Sequence, residues 1–242
     1  MKLKQRLVNA LMAQGGHPTG IGGRVVGLMM ANRASNRKRN SWVVSLLDVQ
    51  PDDRVLEIGF GPGLAIRELS HIAHEGYVCG IDHSELMVRQ ARRRNADGVR
   101  RGVVDLRLGS VDALPAFDAP FDKILAVNAH FFWGEPDARL EQLGRLLRHA
   151  GLIALAHQPR GPGASDTMAA ESGREIAAAL GRAGFSQVRV ETLPLKPAVV
   201  CALGVNEWGD DASCGRRVSH KWVCPVGSRA FRHGAELHRM RA

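Results

Sequence analysis

The chain has 242 residues, a formal net charge of +9 and 45% hydrophobic residues, which fits one large globular domain with appendages. Its 27 glycines and 11 prolines follow no collagen period, and no apolar run approaches the roughly 20 residues of a membrane span, so fibrous and membrane-spanning classes are excluded. The four cysteines form no CxxC pair, which favours a reducing compartment, and we expect a cytoplasmic protein.

Residues 1–50 are predicted to form a helical, basic lead-in. Residues 1–40 contain eight Lys or Arg residues and no acid. Asn32, Asn36 and Asn40 recur at four-residue spacing, which places them on one face of a helix. Amides grouped in this way either face solvent or are hydrogen-bonded within the protein, and the sequence leaves both arrangements open.

Residues 51–204 alternate short apolar runs with amphipathic stretches, which predicts strands alternating with helices. The predicted strands cover 54–59, 77–81, 103–108, 121–127, 151–156, 187–191 and 198–203. The predicted helices cover 63–74, 84–91, 136–147 and 169–183. This alternation predicts a mostly parallel sheet with helices on both faces. The last two strands are too close in sequence for a crossover, so they must be antiparallel.

Residues 205–242 lose the alternation, and we expect a basic, loosely ordered tail. They contain seven Lys or Arg residues and four acids, so the positive charge lies at the two ends of the chain. A nucleic-acid-binding domain usually carries its charge on a folded face, so this distribution disfavours a nucleic-acid partner without excluding it. The spacing of the Cys and His residues in the tail matches no common zinc pattern, and no metal is expected.

The strongest local pattern is the glycine loop, Val55-Leu-Glu-Ile-Gly-Phe-Gly-Pro-Gly63. Gly59 and Gly61 allow a tight turn and the close approach of a ligand, and the following helix offers unpaired N–H groups. The spacing is GxGxG, unlike the GxGxxG of a dinucleotide loop, which disfavours NAD. The carboxylate of Glu57 would repel pyrophosphate and suit a cation, so a ligand with an amino group and no phosphate is favoured. A strand-to-helix turn without a ligand is the alternative.

Two further acidic positions follow the next two strands. Asp82 ends the second predicted strand, where a carboxylate can accept hydrogen bonds from both hydroxyls of a ribose. After the third strand, Asp112 could accept a hydrogen bond from an exocyclic amine of adenine, and Ser110 could assist it. For Asp82, a surface aspartate in a turn is the alternative.

Four segments occur in a fixed order along the chain: Val55-Leu-Glu-Ile-Gly-x-Gly-x-Gly63, Gly80-Ile-Asp-x-Ser-x-x-Met87, Asp112-Ala-Leu-Pro115 and Phe121-Asp-Lys-Ile-x-x-Val-Asn128. In this order they resemble the class I S-adenosylmethionine-dependent methyltransferases over about residues 40–204. The resemblance implies a Rossmann-like, doubly wound α/β fold of three layers. Its sheet would have seven strands, mostly parallel, with an antiparallel last strand. The implied cofactor is S-adenosyl-L-methionine.

The resemblance also implies which residues contact the cofactor. These are Gly59, Gly61 and Gly63 for the methionine portion, Asp82 for the ribose, His83 and Met87 flanking the adenine, Asp112 and Ala113 at the adenine edge, and Asn128 facing the methyl group. On their residue types and positions, Glu57 and Ser110 are further cofactor-binding candidates. N-terminal helices cap the active site in similar small-molecule methyltransferases. We therefore expect the lead-in to act as a cap, and Asn36 and Asn40 to bind substrate.

The segment Asn128-Ala-His-Phe-Phe-Trp133 follows a central strand, at the edge where open α/β sheets bind ligands. Methyl transfer from a sulfonium is an in-line displacement, in which the protein mainly aligns the nucleophile. His130 could remove a proton from an O or N nucleophile, and Phe131, Phe132 and Trp133 could wall a planar substrate. Alternatively, the aromatic residues are core and His130 only shapes the loop.

These patterns predict a methyltransferase that acts on a small molecule. Enzymes of this family that methylate base amines of nucleic acids often carry Asn-Pro-Pro-aromatic after the fourth strand, whereas Ala129 and His130 replace both prolines here. Two alternatives stay open: an RNA or protein methyltransferase that docks through its basic ends, and a non-catalytic module that binds S-adenosylmethionine.

Overall fold

The computed structural model describes residues 34–129, 133, 135–208, 217–218 and 221–222. The chain divides into two units, Met1–Gly209 and Asp210–Ala242. Residues 1–33 of the predicted lead-in, and most of the predicted tail, lie outside the described residues. Within the described part of the chain, no helix is long and apolar enough to cross a membrane.

The first unit alternates helices and strands. Its described helices are α1 (Ala34–Leu46), α2 (Leu64–Ile72), α3 (Glu85–Arg94), α4 (Ala96–Arg100), α5 (Pro136–Leu146) and α6 (Asp166–Arg182). Its described strands are β1 (Arg54–Ile58), β2 (Tyr77–Asp82), β3 (Val104–Leu108), β4 (Phe121–Val127), β5 (Leu147–His157), β6 (Phe185–Leu193) and β7 (Val199–Asn206). In the second unit, β8 (Arg217–Val218) and β9 (Lys221–Trp222) form an antiparallel pair.

The sheet of the first unit has seven strands in the order β3-β2-β1-β4-β5-β7-β6. The five neighbouring strands β3, β2, β1, β4 and β5 pair in parallel. β7 is antiparallel to both of its neighbours, β5 and β6. This confirms the predicted seven-stranded sheet and its antiparallel last strand. The direction of β7 follows from the short link after β6, which cannot hold a crossover.

Two hydrophobic clusters cover the two faces of the sheet, so the fold has three layers. The α1–α3 cluster contains Val43, Val44, Ile66, Leu69 and Val88 from the helices. The α5–α6 cluster contains Leu140, Leu143, Ile176 and Leu180. Successive residues of one strand point to opposite faces, and each central strand therefore contributes to both clusters.

The structure corrects the end of one predicted helix. Leu147 was expected to continue the helix that Pro136 opens, but it is the first residue of β5 and pairs with Phe121 of β4. Its apolar side chain serves either element equally well, because it is buried in the α5–α6 cluster in both cases. The short helix α4 was not predicted, since its five residues show no apolar periodicity.

The strand order also fixes where a ligand can bind. The chain runs outward from β1 through β2 to β3 on one side of the sheet, and then crosses back to β4 beside β1 and continues outward to β5. In open α/β sheets, this reversal leaves a crevice at the carboxyl ends of the strands. The glycine loop follows β1 at this edge, and Asn128 follows β4 beside it.

Candidate functional site

The glycine loop turns sharply at the carboxyl end of β1. Gly59, Gly61 and Gly63 have φ angles of 73°, 53° and 76°, in the left-handed region that favours glycine. A Cβ atom added at Gly59 would lie 2.4 Å from the Cβ of Ala129, whereas one added at Gly61 would meet nothing within 4 Å. The backbone at Gly59 is therefore packed against the residue that follows Asn128, and the backbone at Gly61 borders open space.

Asp82 ties this loop to the end of β2. Its carboxylate accepts hydrogen bonds from the backbone N–H of Gly61 at 2.8 Å and of Ser84 at 2.9 Å. Burial raises the pKa of Asp82, although the two N–H groups and nearby His83 oppose this. Each carboxylate oxygen can accept more than one hydrogen bond, so Asp82 keeps capacity for a ligand.

Glu57 lies in β1 beneath the loop and is buried. One carboxyl oxygen accepts a hydrogen bond from the backbone of Ile66, while Oε2 is buried without a hydrogen-bond partner among the described residues. Burial and the neighbouring Asp82 raise the pKa of Glu57 to about 8. A buried polar atom without a partner is rare in folded proteins and calls for an explanation, and a ligand cation would supply one.

The raised pKa of Glu57 predicts a specific dependence of stability on pH. Between its ordinary value of 4.5 and about 8, Glu57 is ionised in the unfolded chain but protonated in the folded protein. The folded state binds more protons, so raising the pH over this range lowers the free energy of unfolding. Glu57→Gln removes this effect. Its free energy of unfolding relative to the wild type should therefore rise with pH, by about 1.4 kcal/mol for each unit of pKa shift.

Urea unfolding of both proteins at about pH 5, 6.5 and 8, without added ligand, measures this difference. Glu175→Gln, which changes an exposed glutamate of α6, is the matched control and should show no pH-dependent difference. A constant difference between Glu57→Gln and the wild type would mean that Glu57 is ionised in the folded protein across the whole range.

The residues after β2 lead into α3. Ser84 caps this helix, because its hydroxyl accepts a hydrogen bond from the backbone N–H of Met87 at 3.4 Å. Met87 lies on the buried face of α3, and His83 is exposed. The structure thus places the two residues expected to flank an adenine on either side of the helix start, next to Asp82.

The segment after β3 forms a short 3-10 turn over Val111–Ala113. The Ser110 hydroxyl donates to Oδ2 of Asp112 at 3.0 Å and accepts from the Asp112 backbone N–H at 3.2 Å. The other oxygen of Asp112 lies 2.8 Å from Nε of Arg139 in α5. Asp112 and Ala113 are both exposed. The carboxylate of Asp112 is therefore shared with an arginine, which the sequence pattern did not indicate.

Leu108 is a candidate residue that the sequence analysis missed. It ends β3 directly beside Asp82 in the strand register, and it is 54% exposed. An exposed leucine at the ligand-binding edge offers an apolar surface next to the carboxylate. The sequence signal that could have identified Leu108 was its position as the last residue of a predicted strand.

Asn128 joins the ends of β4 and β5. Its side-chain amide donates to the backbone carbonyl of Gln158 at 3.2 Å and accepts from the Gln158 N–H at 2.8 Å. His130, Phe131 and Phe132, which follow it, lie outside the described residues. Trp133 is buried in the α5–α6 cluster.

The polar face of α1 is buried near the end of β5. Asn36 and Asn40 are 3% and 8% exposed, so neither lies on a solvated face. The side chain of Asn40 donates to the backbone carbonyl of Asn36 at 2.7 Å, and the side-chain oxygen of Asn36 accepts from Arg160. Both asparagines expected at a substrate site are thus buried, and Asn36 contacts the loop that follows β5.

Comparison with known proteins identifies a matching family model and a homologous protein, and both are described as methyltransferases. A family model described as a methyltransferase domain matches residues 55–151. An uncharacterized methyltransferase of Bacillus subtilis, YdaC, is 32% identical over 179 residues, which are 74% of this chain and 96% of that protein.

Solved structures share the fold. A SAM-dependent methyltransferase from Aquifex aeolicus matches with a TM-score of 0.60 at 19% identity, over 76% of this chain and 98% of that one. The N-methyltransferase NodS from Bradyrhizobium japonicum, in complex with S-adenosyl-L-homocysteine, matches with a TM-score of 0.58 at 14% identity, over 74% and 90% of the two chains. The chain therefore belongs to the class I S-adenosylmethionine-dependent methyltransferases.

Proposed function

We propose that this enzyme methylates a small-molecule acceptor in the cytoplasm. The observation that carries the proposal is the buried polar face of α1, where Asn36, Arg39 and Asn40 are 3%, 4% and 8% exposed. An RNA or protein substrate would need an exposed docking surface in addition to an enclosed pocket. Polar side chains enclosed between a helix and the strand ends instead suit a small group that is held on several sides.

Two features of the glycine loop support a cofactor site there. Oε2 of Glu57 is buried without a hydrogen-bond partner among the described residues, and the backbone of Gly61 borders open space. Glu57 would hold the amino group of S-adenosylmethionine, and Asp82 would accept from its ribose hydroxyls. The other proposed cofactor contacts are Gly59, Gly63, His83, Met87, Ser110, Asp112, Ala113 and Asn128.

The acceptor would lie beside the cofactor, over the ends of β4 and β5. When bound, S-adenosylmethionine supplies a methyl group that a nucleophile attacks in line. We propose His130 as the base that takes a proton from that nucleophile, and Phe131 as part of the pocket wall. Trp133 is buried in the α5–α6 cluster, which supports a packing role for it.

Transfer of a labelled methyl group tests this proposal. Purified enzyme is incubated with methyl-labelled S-adenosylmethionine and a bacterial extract, which is then separated into low-mass, RNA and protein fractions. We expect the label in the low-mass fraction, and less incorporation with Asp82→Ala at limiting S-adenosylmethionine, because this variant loses the proposed acceptor of the ribose hydroxyls. Label that accumulates in RNA or protein would contradict the small-molecule assignment and favour docking through the basic ends.

A further inference from the structure

Arg39 is a buried cation in α1 without a described counter-ion. Its side chain is 4% exposed, and Nη1 donates to the side-chain oxygen of Gln158 at 2.9 Å. Nε is buried and has no hydrogen-bond partner among the described residues, and none of the ion pairs in that part of the chain includes Arg39. A buried charge without a counter-ion lowers the stability of the fold. Such a charge is therefore expected where it has a role other than stabilising the fold, such as binding a ligand.

The groups around Arg39 add positive charge to the same place. Arg160, in the loop after β5, donates to the side chain of Asn36, one turn from Arg39 along α1. Burial and Arg160 together lower the pKa of Arg39 to about 9. Burial and the two arginines lower the pKa of His157, at the end of β5, to about 4. Burial is the larger cause of both shifts, and the contribution of Arg160 to each of them reflects a positive local potential that an anion would neutralise.

A chain of contacts connects Arg39 to the glycine loop. Arg39 binds the side chain of Gln158, whose backbone pairs with the side chain of Asn128. The next residue, Ala129, packs against Gly59. Arg39 therefore lies along the carboxyl edge of the sheet, on the side of the glycine loop away from Asp82, where the proposed acceptor would bind.

We propose that the acceptor carries an oxyanion, a carboxylate or a phosphate ester, which Arg39 binds. Gln158 occupies Nη1, so the edge formed by Nε and Nη2 presents the two parallel N–H groups that match two oxygens of such a group. Arg160 supplies the second positive charge. This inference rests on the proposed small-molecule function, and it adds the chemical class of the substrate.

Anion binding to the full-length enzyme, saturated with S-adenosylhomocysteine, tests the inference. The probes are benzoate and phenyl phosphate, with neutral benzamide as the uncharged comparison, all at constant ionic strength and measured by calorimetry. We expect at least one of the two anions to bind and benzamide not to bind. The anion that binds more tightly identifies the oxyanion.

Three variants separate a binding role from a structural one. Arg39→Met should weaken anion binding by about tenfold or more, because the donor fork is lost. Arg39→Lys keeps the charge but not the fork and should lie between Arg39→Met and the wild type. Lys38→Met, an exposed neighbour in the same helix, is the matched control and should bind the anion as the wild type does.

Stability without an anion supplies an independent measurement. If Arg39 is kept for a ligand, Arg39→Met relieves an uncompensated buried charge and should raise the midpoint of thermal unfolding. A lowered midpoint together with unchanged anion binding would show a purely structural arginine and overturn the inference, as would a wild type that binds neither anion. Methyl label in RNA or protein would instead refute the small-molecule function, so the two failures are distinguishable.

Discussion

Asp82→Ala should weaken the binding of S-adenosylhomocysteine by about tenfold or more, because each charge-assisted hydrogen bond is worth roughly 1.5–3 kcal/mol. Two losses add in this variant. The ribose hydroxyls lose their proposed acceptor, and the backbone N–H of Gly61 loses the carboxylate that it contacts at 2.8 Å. The glycine loop is thus less well ordered before the ligand arrives. Calorimetric titration of the folded variant measures the affinity.

Two further variants make the Asp82 result specific. Asp82→Asn keeps the shape but not the charge and should show a smaller loss. Asp105→Ala removes another strand carboxylate, near the amino end of β3, where it contacts Tyr77 and Arg107, and should leave the affinity unchanged. If Asp82→Ala binds S-adenosylhomocysteine as tightly as the wild type, the ribose lies elsewhere.

The second large effect concerns stability. Gly59→Ala should lower the free energy of unfolding by several kcal/mol, because two separate costs add at this position. A left-handed backbone costs an alanine roughly 1–2 kcal/mol, and overpacking adds about 1–3 kcal/mol. Both costs apply at Gly59, whose φ is 73° and whose added Cβ would lie 2.4 Å from that of Ala129.

Gly61→Ala is the matched comparison within the same loop. Its φ of 53° imposes a backbone cost, but the added Cβ meets nothing within 4 Å. We therefore expect a smaller loss of stability and a larger loss of S-adenosylhomocysteine affinity, since the methyl group would enter the space proposed for the cofactor. Urea unfolding and calorimetry of both variants measure the two effects. Equal destabilisation would mean that Ala129 moves aside.

The sequence predicted the features that depend on local pattern. The apolar runs located all seven strands of the main sheet, and the few residues between the last two required β7 to be antiparallel. The predicted end of the helix that begins at Pro136 was wrong, because Leu147 is apolar and would be buried in either a helix or a strand.

The features of the site that were not predicted from the sequence depend on contacts between residues far apart in the chain. Arg39 stands among other basic residues and resembles part of a solvated helix face, and its hydrogen-bond partner Gln158 is 119 positions away. The ion pair between Asp112 and Arg139 is equally invisible in the sequence. Glu57 was expected to be a carboxylate, but its buried position and Asp82 raise its pKa to about 8. The roles proposed for His130 and Phe131 stay predictions.

The place of β7 between β5 and β6 affects how the chain folds as it is synthesised. β7, which ends at Asn206, is the last strand of the seven-stranded sheet to leave the ribosome. Until then, β6 has no neighbour to pair with, and residues 152–157 of β5 present unpaired backbone groups along one side. Such an edge invites pairing with another chain. Nascent chains that stall between β5 and Asn206 therefore expose this edge and are prone to pair with other chains.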